Sequence, residues 1–284
     1  MATILPHTGL HRPQIHGHRG CRGLLPENTL PAFYRAAELG VDALELDIVV
    51  SADHQLVVSH EPWMSAAICR TPLGAVIPAA EQLQHNLYSM PYARIREYDC
   101  GSTQHPLFPE QQPIPTYKPL LREVVFAIDA LRAQLKLPPV QFSIEVKSMP
   151  SGDGIWHPAP AQFVELLLAE LQALDLYSRT TLLSFDKRIL QLARERTPHL
   201  RLCLLIEDER PVPEHLRELG FHPHVLGPNF HLLTEAVAAY LRQQSIAYVP
   251  WTVNETADMK RLLAYQPLGI TTDYPNRLLA LLAG

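Results

Sequence analysis

The sequence has no excess of positive charge. Lysine and arginine number 24 against 29 aspartate and glutamate residues, and the formal net charge is -5 with histidine neutral. A broad nucleic-acid-binding surface is therefore not expected, because such a surface carries a positive field. Any anion-binding site has to be a local cluster of cationic side chains.

Cysteine is also scarce. The four cysteines are Cys21, Cys69, Cys100 and Cys203, and no two of them form a C-x-x-C pair. This spacing predicts neither a zinc site nor a disulfide framework, and it favours a reducing compartment.

Long apolar runs are missing as well. The N-terminal stretch "MATILPHTGLHRPQ" lacks the apolar core of a signal peptide, and no segment is long enough to span a bilayer. We expect a cytoplasmic protein without stable membrane insertion. A secreted form that has lost its leader stays open as an alternative.

What the sequence does contain is an alternation of short apolar runs with amphipathic helical stretches. Hydrophobic residues make up 47% of the 284 residues, as in proteins with a sizeable core. Alternating strands and helices are typical of a parallel sheet. The nine candidate strands are Gln14–His18, Ala43–Val49, Leu56–Ser59, Val140–Val146, Thr180–Ser184, Arg201–Ile206, His224–Pro228, Ala247–Trp251 and Leu268–Thr272.

Nine strands are one more than an eight-stranded TIM-type (β/α)8 barrel needs, and loop length resolves the excess. Only "SADHQ" separates Val50 from Leu56, whereas a parallel crossover takes about a dozen residues or more. The third strand must therefore return antiparallel as a hairpin. If the hairpin folds about Asp53, His60 lies opposite Leu46.

Residues 61–139 do not follow the alternating pattern and are rich in proline, glutamine and tyrosine. We interpret them as an insertion over the barrel mouth, followed by a helix at about Lys118–Gln134. The prediction is one α/β domain over residues 1–284, a TIM-type barrel with this insertion and a β-hairpin after the second strand.

Carboxylates stand at the ends of two predicted strands. In "LELD", Glu45 and Asp47 are two residues apart and share one face of a strand, as do Glu145 and Lys147 in "IEVK". Inward-facing carboxylates need a cation, and an all-oxygen ligand set suits Mg²⁺ or Ca²⁺. The alternative is that Glu45 and Asp47 face outward and pair with helix lysines.

Cationic and proton-transferring residues accompany these carboxylates. Lys147 and Arg19, together with a bound metal, would form a trap for an anion such as phosphate. His18 and His60, on converging strand ends, have the chemistry of a general acid and a general base. The glycines around His18 would let backbone and ligand approach closely.

The "HGH" segment also suits a metal-dependent amidohydrolase, which carries H-x-H on its first barrel strand. Such an enzyme further needs metal-binding histidines on middle strands. The corresponding runs here, "TTLLSF" and "LRLCLLI", contain no histidine. The amidohydrolase interpretation fails at that requirement.

Seven blocks occur in one order: "HRG", "PENT", "GVDALELDIVVSADHQLVVSHEP", "IEVK", "LLSF", "WTVN" and "GITTDYP". Together they resemble the glycerophosphodiester phosphodiesterases from about residue 15 to about residue 275. The resemblance is weakest over residues 63–118. It implies a TIM-type barrel with a small insertion after the returning strand.

The resemblance also implies roles for particular residues. These are Glu45, Asp47 and Glu145 as metal ligands, His18 and His60 as the acid–base pair, Arg19 and Lys147 as phosphate ligands, and Phe185 and Trp251 as substrate-pocket residues. Ordinary barrel packing is the alternative for the two aromatic residues. Glu27 and Asn28 would support the first loop, and Asp273 would anchor a loop. His54 and Glu61 depart from the family pattern, which usually has glycine and aspartate there.

The implied activity is metal-dependent hydrolysis of small glycerophosphodiesters to glycerol 3-phosphate and an alcohol, with Mg²⁺ or Ca²⁺ as cofactor. One alternative is a phospholipase D-like enzyme that acts on lysolipids, with an apolar mouth supplied by residues 62–68. Another is a catalytically silent barrel that only binds phosphodiesters. The sequence predicts no nucleic-acid partner and does not predict an oligomeric state.

Overall fold

The computed structural model describes residues 12–283 and shows the expected alternation of strands and helices. Its strands are β1 (Gln14–Gly17), β2 (Ala43–Val50), β3 (Leu56–Val58), β4 (Gln141–Val146), β5 (Thr180–Ser184), β6 (Arg201–Ile206), β7 (Val225–Pro228), β8 (Ala247–Tyr248) and β9 (Gly269–Thr272). Its helices are α1 (Leu30–Leu39), α2 (Tyr92–Ile95), α3 (Leu121–Gln134), α4 (Pro160–Ala173), α5 (Lys187–Arg196), α6 (Val212–Leu219), α7 (Glu235–Gln243), α8 (Thr256–Leu263) and α9 (Pro275–Ala283).

Eight strands pair side by side in the order β8-β7-β6-β5-β4-β2-β1-β9, and every pair along this path is parallel. Two backbone hydrogen bonds of 3.0 Å join the two ends of the sheet, from Leu268 N to Tyr248 O and from Thr271 N to Pro250 O. The strands thus form a nearly closed barrel with helices around it. The predicted TIM-type fold is confirmed.

The ninth strand, β3, pairs antiparallel with β2 only, as the short loop between them requires. Val50 lies opposite Leu56 and Ile48 opposite Val58, so the hairpin is centred on Asp53 as predicted. His54 takes the left-handed conformation of the turn, with φ of 59°. Pairing ends before His60, although Ser59 N still donates to Asp47 O at 3.0 Å.

Alternate residues of β2 face opposite sides of the barrel wall. Leu44, Leu46 and Ile48 are fully buried in the main core, together with helix residues such as Phe33. Glu45 faces the other way and lines the interior of the barrel. Because side chains alternate along a strand, Asp47 lies on the same inner side as Glu45.

The insertion builds a second, smaller core. Val49 and Val57 are register partners on the face of the hairpin that also carries Glu45 and Asp47, and they pack with Met64, Leu87 and other apolar residues of the insertion. Helix α3 then follows at Leu121–Gln134 and packs beside α1, so it belongs to the barrel's outer layer. The insertion over the mouth therefore ends near residue 120, and the helix predicted after it is a regular barrel helix.

Cys69 and Cys100 form a disulfide within the insertion. This corrects the sequence analysis, which predicts no disulfide. The two residues are 31 positions apart, and only the irregular path of the insertion brings them together. The disulfide also removes the reason, based on cysteine spacing, for expecting a reducing compartment.

Within residues 12–283, no helix is both long and apolar enough to cross a membrane. Residues 1–11, which are most of the N-terminal stretch used to predict the absence of a signal peptide, lie outside the described residues.

Candidate active site

Three carboxylates converge at the carboxyl ends of β2 and β4. Asp47 and Glu145 are register partners on these neighbouring strands. Glu45, Asp47 and Glu145 are all buried, and one carboxylate oxygen from each lies within 4.8 Å of the others. The structure thus places the three predicted metal ligands inside the barrel, and the outward-facing alternative is wrong.

Burial and mutual repulsion act strongly on these carboxylates. Burial, followed by the charges of Asp47 and Glu145, raises the pKa of Glu45 well above its ordinary value. Burial acts the same way on Asp47, but the nearby Arg19 and Lys147 cations outweigh it and hold the Asp47 pKa below its usual range. A divalent cation would relieve the repulsion, so this all-oxygen cluster fits Mg²⁺ or Ca²⁺.

Arg19 and Lys147 lie against the carboxylate cluster. Lys147 Nζ donates to Glu145 Oε1 at 2.6 Å and lies 3.6 Å from Asp47 Oδ1. Arg19 Nε lies 3.3 Å from Asp47 Oδ2, and Arg19 Nη1 donates to Glu27 Oε1 at 2.7 Å. Both predicted phosphate ligands are therefore at the cluster.

The glycines near His18 allow a close approach of backbone, not of ligand. A Cβ atom on Gly20 would lie 2.7 Å from the carbonyl carbon of Ala32 in α1. A Cβ atom on Gly17 would lie 2.2 Å from the carbonyl oxygen of Gly20. The prediction that a ligand approaches these glycines is therefore not supported. The glycines instead allow the first loop to pack tightly on α1.

His18 is held by Asp273. The Nδ1 atom of His18 donates to Asp273 Oδ1 at 2.6 Å, and Nε2 lies 3.8 Å from Glu45 Oε2. Burial lowers the pKa of His18 to about 4, against the opposing effect of the Asp273 charge. His18 is therefore neutral near pH 7, with Nε2 free of its proton and directed at the carboxylate cluster.

Asp273 has a larger part in the site than the sequence analysis assigns to it. The carboxylate is fully buried, and it accepts hydrogen bonds from Arg22 Nε at 2.9 Å and from Asn254 Nδ2 at 2.7 Å. These donors fix the carboxylate in place, so that it in turn fixes the imidazole of His18. The interpretation of Asp273 as a loop anchor alone is incomplete.

His60 is held in a similar way by its neighbour in the sequence. Its Nδ1 atom bonds Glu61 Oε1 at 2.8 Å, and 31% of its side chain is exposed at the mouth. Burial alone would raise the pKa of Glu61. This hydrogen bond and the charges of His60 and Lys118 outweigh that effect and lower the pKa to about 2. Both histidines thus direct Nδ1 at a carboxylate and leave Nε2 for chemistry.

The site opens into a cavity of about 780 Å³. Phe185 and Trp251, the predicted pocket residues, line it and meet edge to face with ring centroids 5.5 Å apart. Trp251 Nε1 also donates to Gly227 O at 2.8 Å, which ties the ring to the barrel wall. The two aromatic residues therefore pack the barrel and border the cavity at once.

His16 is not part of the carboxylate cluster. Its Nε2 atom lies 3.1 Å from Gln14 Oε1 and its Nδ1 atom 3.3 Å from Ser143 Oγ, so both ring nitrogens are engaged deeper in the barrel. The two histidines of "HGH" thus have different surroundings, which agrees with the rejection of an amidohydrolase.

Three further residues support the site. Asn28 Nδ2 donates to Asp47 Oδ2 at 2.8 Å, so Asn28 reaches the cluster itself as well as supporting the first loop. Lys118, which is buried, donates to Ser59 Oγ at 2.8 Å beside His60. The sequence analysis does not identify Arg22 or Lys118 as site residues, because neither belongs to a recognised motif. The position of Arg22 between "HRG" and "PENT" is the one feature of the sequence that indicates a place near the site.

Comparison with known proteins agrees with this arrangement. A model of the glycerophosphoryl diester phosphodiesterase family matches residues 18–277, which contain the three carboxylates, both site histidines with their carboxylate partners, Arg19 and Lys147. The chain belongs to the glycerophosphoryl diester phosphodiesterase family. The resemblance seen in the sequence is thereby confirmed, and so is the assignment of the chain as an enzyme of this family.

Individual relatives agree over nearly the whole chain. A glycerophosphodiester phosphodiesterase of Caldanaerobacter subterraneus is 27% identical over 267 residues, which cover 94% of this chain and 96% of the relative. A Silicibacter pomeroyi structure whose name refers to the same activity has a TM-score of 0.86 and 29% identity, with 97% and 94% of the two chains covered.

A phosphodiesterase of Oleispira antarctica was solved with its product sn-glycerol-3-phosphate. Its TM-score is 0.73 at 18% identity, with 95% of this chain and 96% of the other covered. At this identity the likeness supports the shared fold.

Proposed function

We propose that this family member hydrolyses small glycerophosphodiesters to glycerol 3-phosphate and an alcohol with the help of a divalent cation. One observation carries the proposal: two histidines, each bonded through Nδ1 to a carboxylate, border the same cavity as Glu45 and Glu145, two members of the three-carboxylate cluster. Such a site has a proton acceptor, a proton donor and a place for a hard cation. Those are the requirements for displacing an alkoxide from a phosphodiester.

Glu45, Asp47 and Glu145 would hold the cation. A bound divalent cation polarises the phosphoryl group and lowers the pKa of an attacking hydroxyl. Arg19 and Lys147 would bind the non-bridging phosphate oxygens, where negative charge grows in the transition state. That hydroxyl belongs either to water or to the glycerol of the substrate itself.

His18 and His60 would transfer the protons. One takes the proton of the attacking hydroxyl at Nε2, and the other gives a proton to the departing alkoxide oxygen. Asp273 and Glu61 keep each imidazole in the tautomer that leaves Nε2 available. These two carboxylates act as positioning residues because they touch the histidines and not the reacting atoms.

The silent-barrel alternative is less consistent with the site. A protein that only binds phosphodiesters has no need of two oriented histidines, and both are present with their carboxylate partners. The lysolipid alternative does not gain support from residues 62–68. Met64 and Ile68 are buried in the core of the insertion, and from this segment Pro62 and Trp63 reach the cavity.

We also propose that the chain is a single domain. The core of the insertion shares Val49 and Val57 with the hairpin that carries the site, so the insertion has no independent boundary there.

Turnover of glycerophosphocholine tests the activity and the cation together. The protein is treated with a chelator, and release of glycerol 3-phosphate is followed before and after addition of Mg²⁺ or Ca²⁺. We expect no turnover in the stripped protein and recovery with one of the cations. Full activity after stripping overturns the metal proposal, and no turnover with any divalent cation overturns the hydrolytic function.

A further inference from the structure

His60 lies beyond the regular pairing of the hairpin that carries it. Strand β3 ends at Val58, and the backbone N atom of Ser59 then donates to Asp47 O at 3.0 Å. A residue that transfers a proton has to be held within hydrogen-bond reach of the reacting oxygen. Contacts other than the pairing of β2 with β3 must therefore order the turn of residues 59–61.

The hydroxyl group of Ser59 closes this turn. Ser59 Oγ donates to the backbone carbonyl oxygen of Glu61 at 2.6 Å, so the bond spans His60. Ser59 is fully buried, and bulk water does not compete for its hydroxyl group. A hydroxyl group has one proton to donate, and here that proton is used to hold the turn.

Lys118 fixes the direction of that hydroxyl group. Its Nζ atom donates to Ser59 Oγ at 2.8 Å. Because an ammonium group donates and cannot accept, the hydroxyl proton cannot point at Lys118 and stays on the bond to Glu61. Lys118, Ser59 and the Glu61 carbonyl group thus form one chain of hydrogen bonds around His60.

The charge of Lys118 also favours the carboxylate that holds His60. Against the effect of burial, the bond to His60 and the charges of His60 and Lys118 lower the pKa of Glu61. The ionised carboxylate is the form that accepts a hydrogen bond from Nδ1 of His60. Burial lowers the pKa of Lys118, and the charges of Glu61 and Glu27 oppose this effect. The ammonium group and the carboxylate therefore favour each other's charged form.

The backbone around Lys118 is held without its side chain. Val57 pairs with Leu120 in an antiparallel bridge, which places Lys118 opposite Ser59. The N atom of Val58 donates to Pro119 O at 2.8 Å within the same pairing. These bonds involve backbone atoms alone, so replacing the ammonium group leaves them in place.

A structural role alone does not explain a lysine at this position. Lys118 is 4% exposed, and an ammonium group is costly to take out of water, whereas an apolar side chain of similar length would fill the same space without that cost. Lys118 also does not belong to the residues of 12–283 that line the cavity, so it is not placed to touch a substrate.

We propose that Lys118 is a positioning residue for His60. From the end of the insertion, it orders the turn of residues 59–61 through the Ser59 hydroxyl group and favours the carboxylate that holds the imidazole. The insertion thereby contributes to proton transfer as well as covering the mouth. The proposal rests on the proposed function in one respect, which is the role of His60 in transferring a proton.

The variant Lys118→Met tests the proposal, because it removes the ammonium group and keeps a long side chain. Turnover of glycerophosphocholine is measured with the cation-loaded protein. We expect kcat to fall about tenfold or more while KM stays within about twofold, since a small displacement of a reacting group costs rate and not binding. The melting temperature should stay equal or rise, because the cost of burying the charge is gone.

Three comparisons separate positioning from structure. In a His60→Ala background, Lys118→Met should cause no further loss of kcat, because no imidazole is left to position. Ser59→Ala removes the middle of the hydrogen-bond chain and should lower kcat as Lys118→Met does; it replaces Lys118→Met in every comparison if that variant does not fold. Arg132→Met removes another buried cation, one that donates to backbone carbonyl groups away from the site, and should leave kcat unchanged.

The tautomer of His60 gives a measurement that does not need turnover. Nitrogen NMR spectra of isotope-labelled histidine distinguish a proton on Nδ1 from one on Nε2, and the signals that are missing in His60→Ala identify His60. We expect the proton on Nδ1 in wild type, and averaged signals of the two ring nitrogens in Lys118→Met.

The outcomes distinguish this proposal from the proposed function. A loss of kcat that depends on His60, together with altered His60 signals, supports the positioning role. An unchanged kcat, a loss that persists without His60, or unchanged His60 signals in the folded variant overturns it. If wild type does not hydrolyse glycerophosphocholine, the proposed function is wrong, and the His60 signals still decide whether Lys118 positions this imidazole.

Discussion

Asp273 accepts a 2.6 Å hydrogen bond from the Nδ1 atom of His18, a residue 255 positions away in the sequence. The bond joins the end of the last barrel strand to the end of the first. It fixes which nitrogen of His18 faces the carboxylate cluster. Asp273 is itself held by Arg22 and Asn254, so its position is set before any ligand binds.

The variant Asp273→Asn tests this positioning role. An amide in place of the carboxylate no longer selects the tautomer of His18, and we expect kcat to fall about a hundredfold or more with little change in KM. Kinetics with glycerophosphocholine, together with the pH profile of kcat, measure the effect.

A matched control is Asp129→Asn, which weakens a bidentate pair with Arg179 outside the barrel. We expect this control to change the melting temperature without changing kcat. If Asp273→Asn also changes only the melting temperature, Asp273 is structural and does not position His18.

The variants His18→Ala and His60→Ala should each lower turnover about a hundredfold or more, the usual contribution of general acid–base catalysis. Both residues lie at strand ends on the open side of the barrel, so folding should survive. Steady-state kinetics and thermal unfolding are measured on the same preparations. A folded variant that keeps near wild-type turnover shows that its histidine does not transfer a proton.

Substitutions of Lys147 and Glu145 should have opposite effects on turnover and metal affinity, although the two residues are only two positions apart at the end of β4. For Lys147→Ala we expect turnover to fall about a hundredfold without a loss of metal affinity, because the ammonium group repels a cation but stabilises growing charge on phosphate. For Glu145→Gln we expect metal affinity to fall first. Metal titration and kinetics are carried out on both. Loss of metal binding in Lys147→Ala with turnover intact would contradict the assigned roles.

Glu61 should make stability depend on pH. Its pKa is lowered from 4.5 to about 2 in the folded protein. The stabilisation is therefore fully present above about pH 4.5 and is lost as the pH falls toward about 2. The shift corresponds to at most about 3 kcal/mol, and with 28% of the side chain exposed we expect about 2 kcal/mol.

Urea unfolding of wild type and Glu61→Gln measures this contribution. The difference in free energy of unfolding between them should shrink between about pH 6 and about pH 3. Glu255→Gln serves as a control, since that side chain is 75% exposed. A difference that stays constant or grows as the pH falls would show that the bond between Glu61 and His60 adds no stability.

The local features of the fold follow from the sequence because short-range constraints decide them. The five residues of "SADHQ" are too few for a parallel crossover, and this fixes the β2–β3 hairpin and its centre at Asp53. Glycine is the residue type that most often ends a helix, and helix Leu30–Leu39 indeed ends at Gly40, which adopts the left-handed conformation with φ of 86°. Alternation along β2 likewise puts Glu45 and Asp47 on one face.

Features that depend on distant parts of the chain do not follow in this way. Recognising Asp273 as the partner of His18 requires knowing that β1 and β9 are neighbours and where their ends align. The disulfide and the buried Lys118 depend on the irregular path of the insertion, which has no periodicity to read. Helix α9, which comes directly after β9, is not predicted either, because its sequence comes after the last recognised motif.

Closure of the barrel by β9 also sets an order of events during synthesis. The hairpin with Glu45 and Asp47 leaves the ribosome early, and Glu145 follows before the middle of the barrel. His18 stays without its carboxylate partner until the segment beyond residue 272 has emerged. A nascent chain shorter than this contains the three carboxylates but lacks Asp273, so His18 acquires its orienting partner only when the last barrel strand is complete.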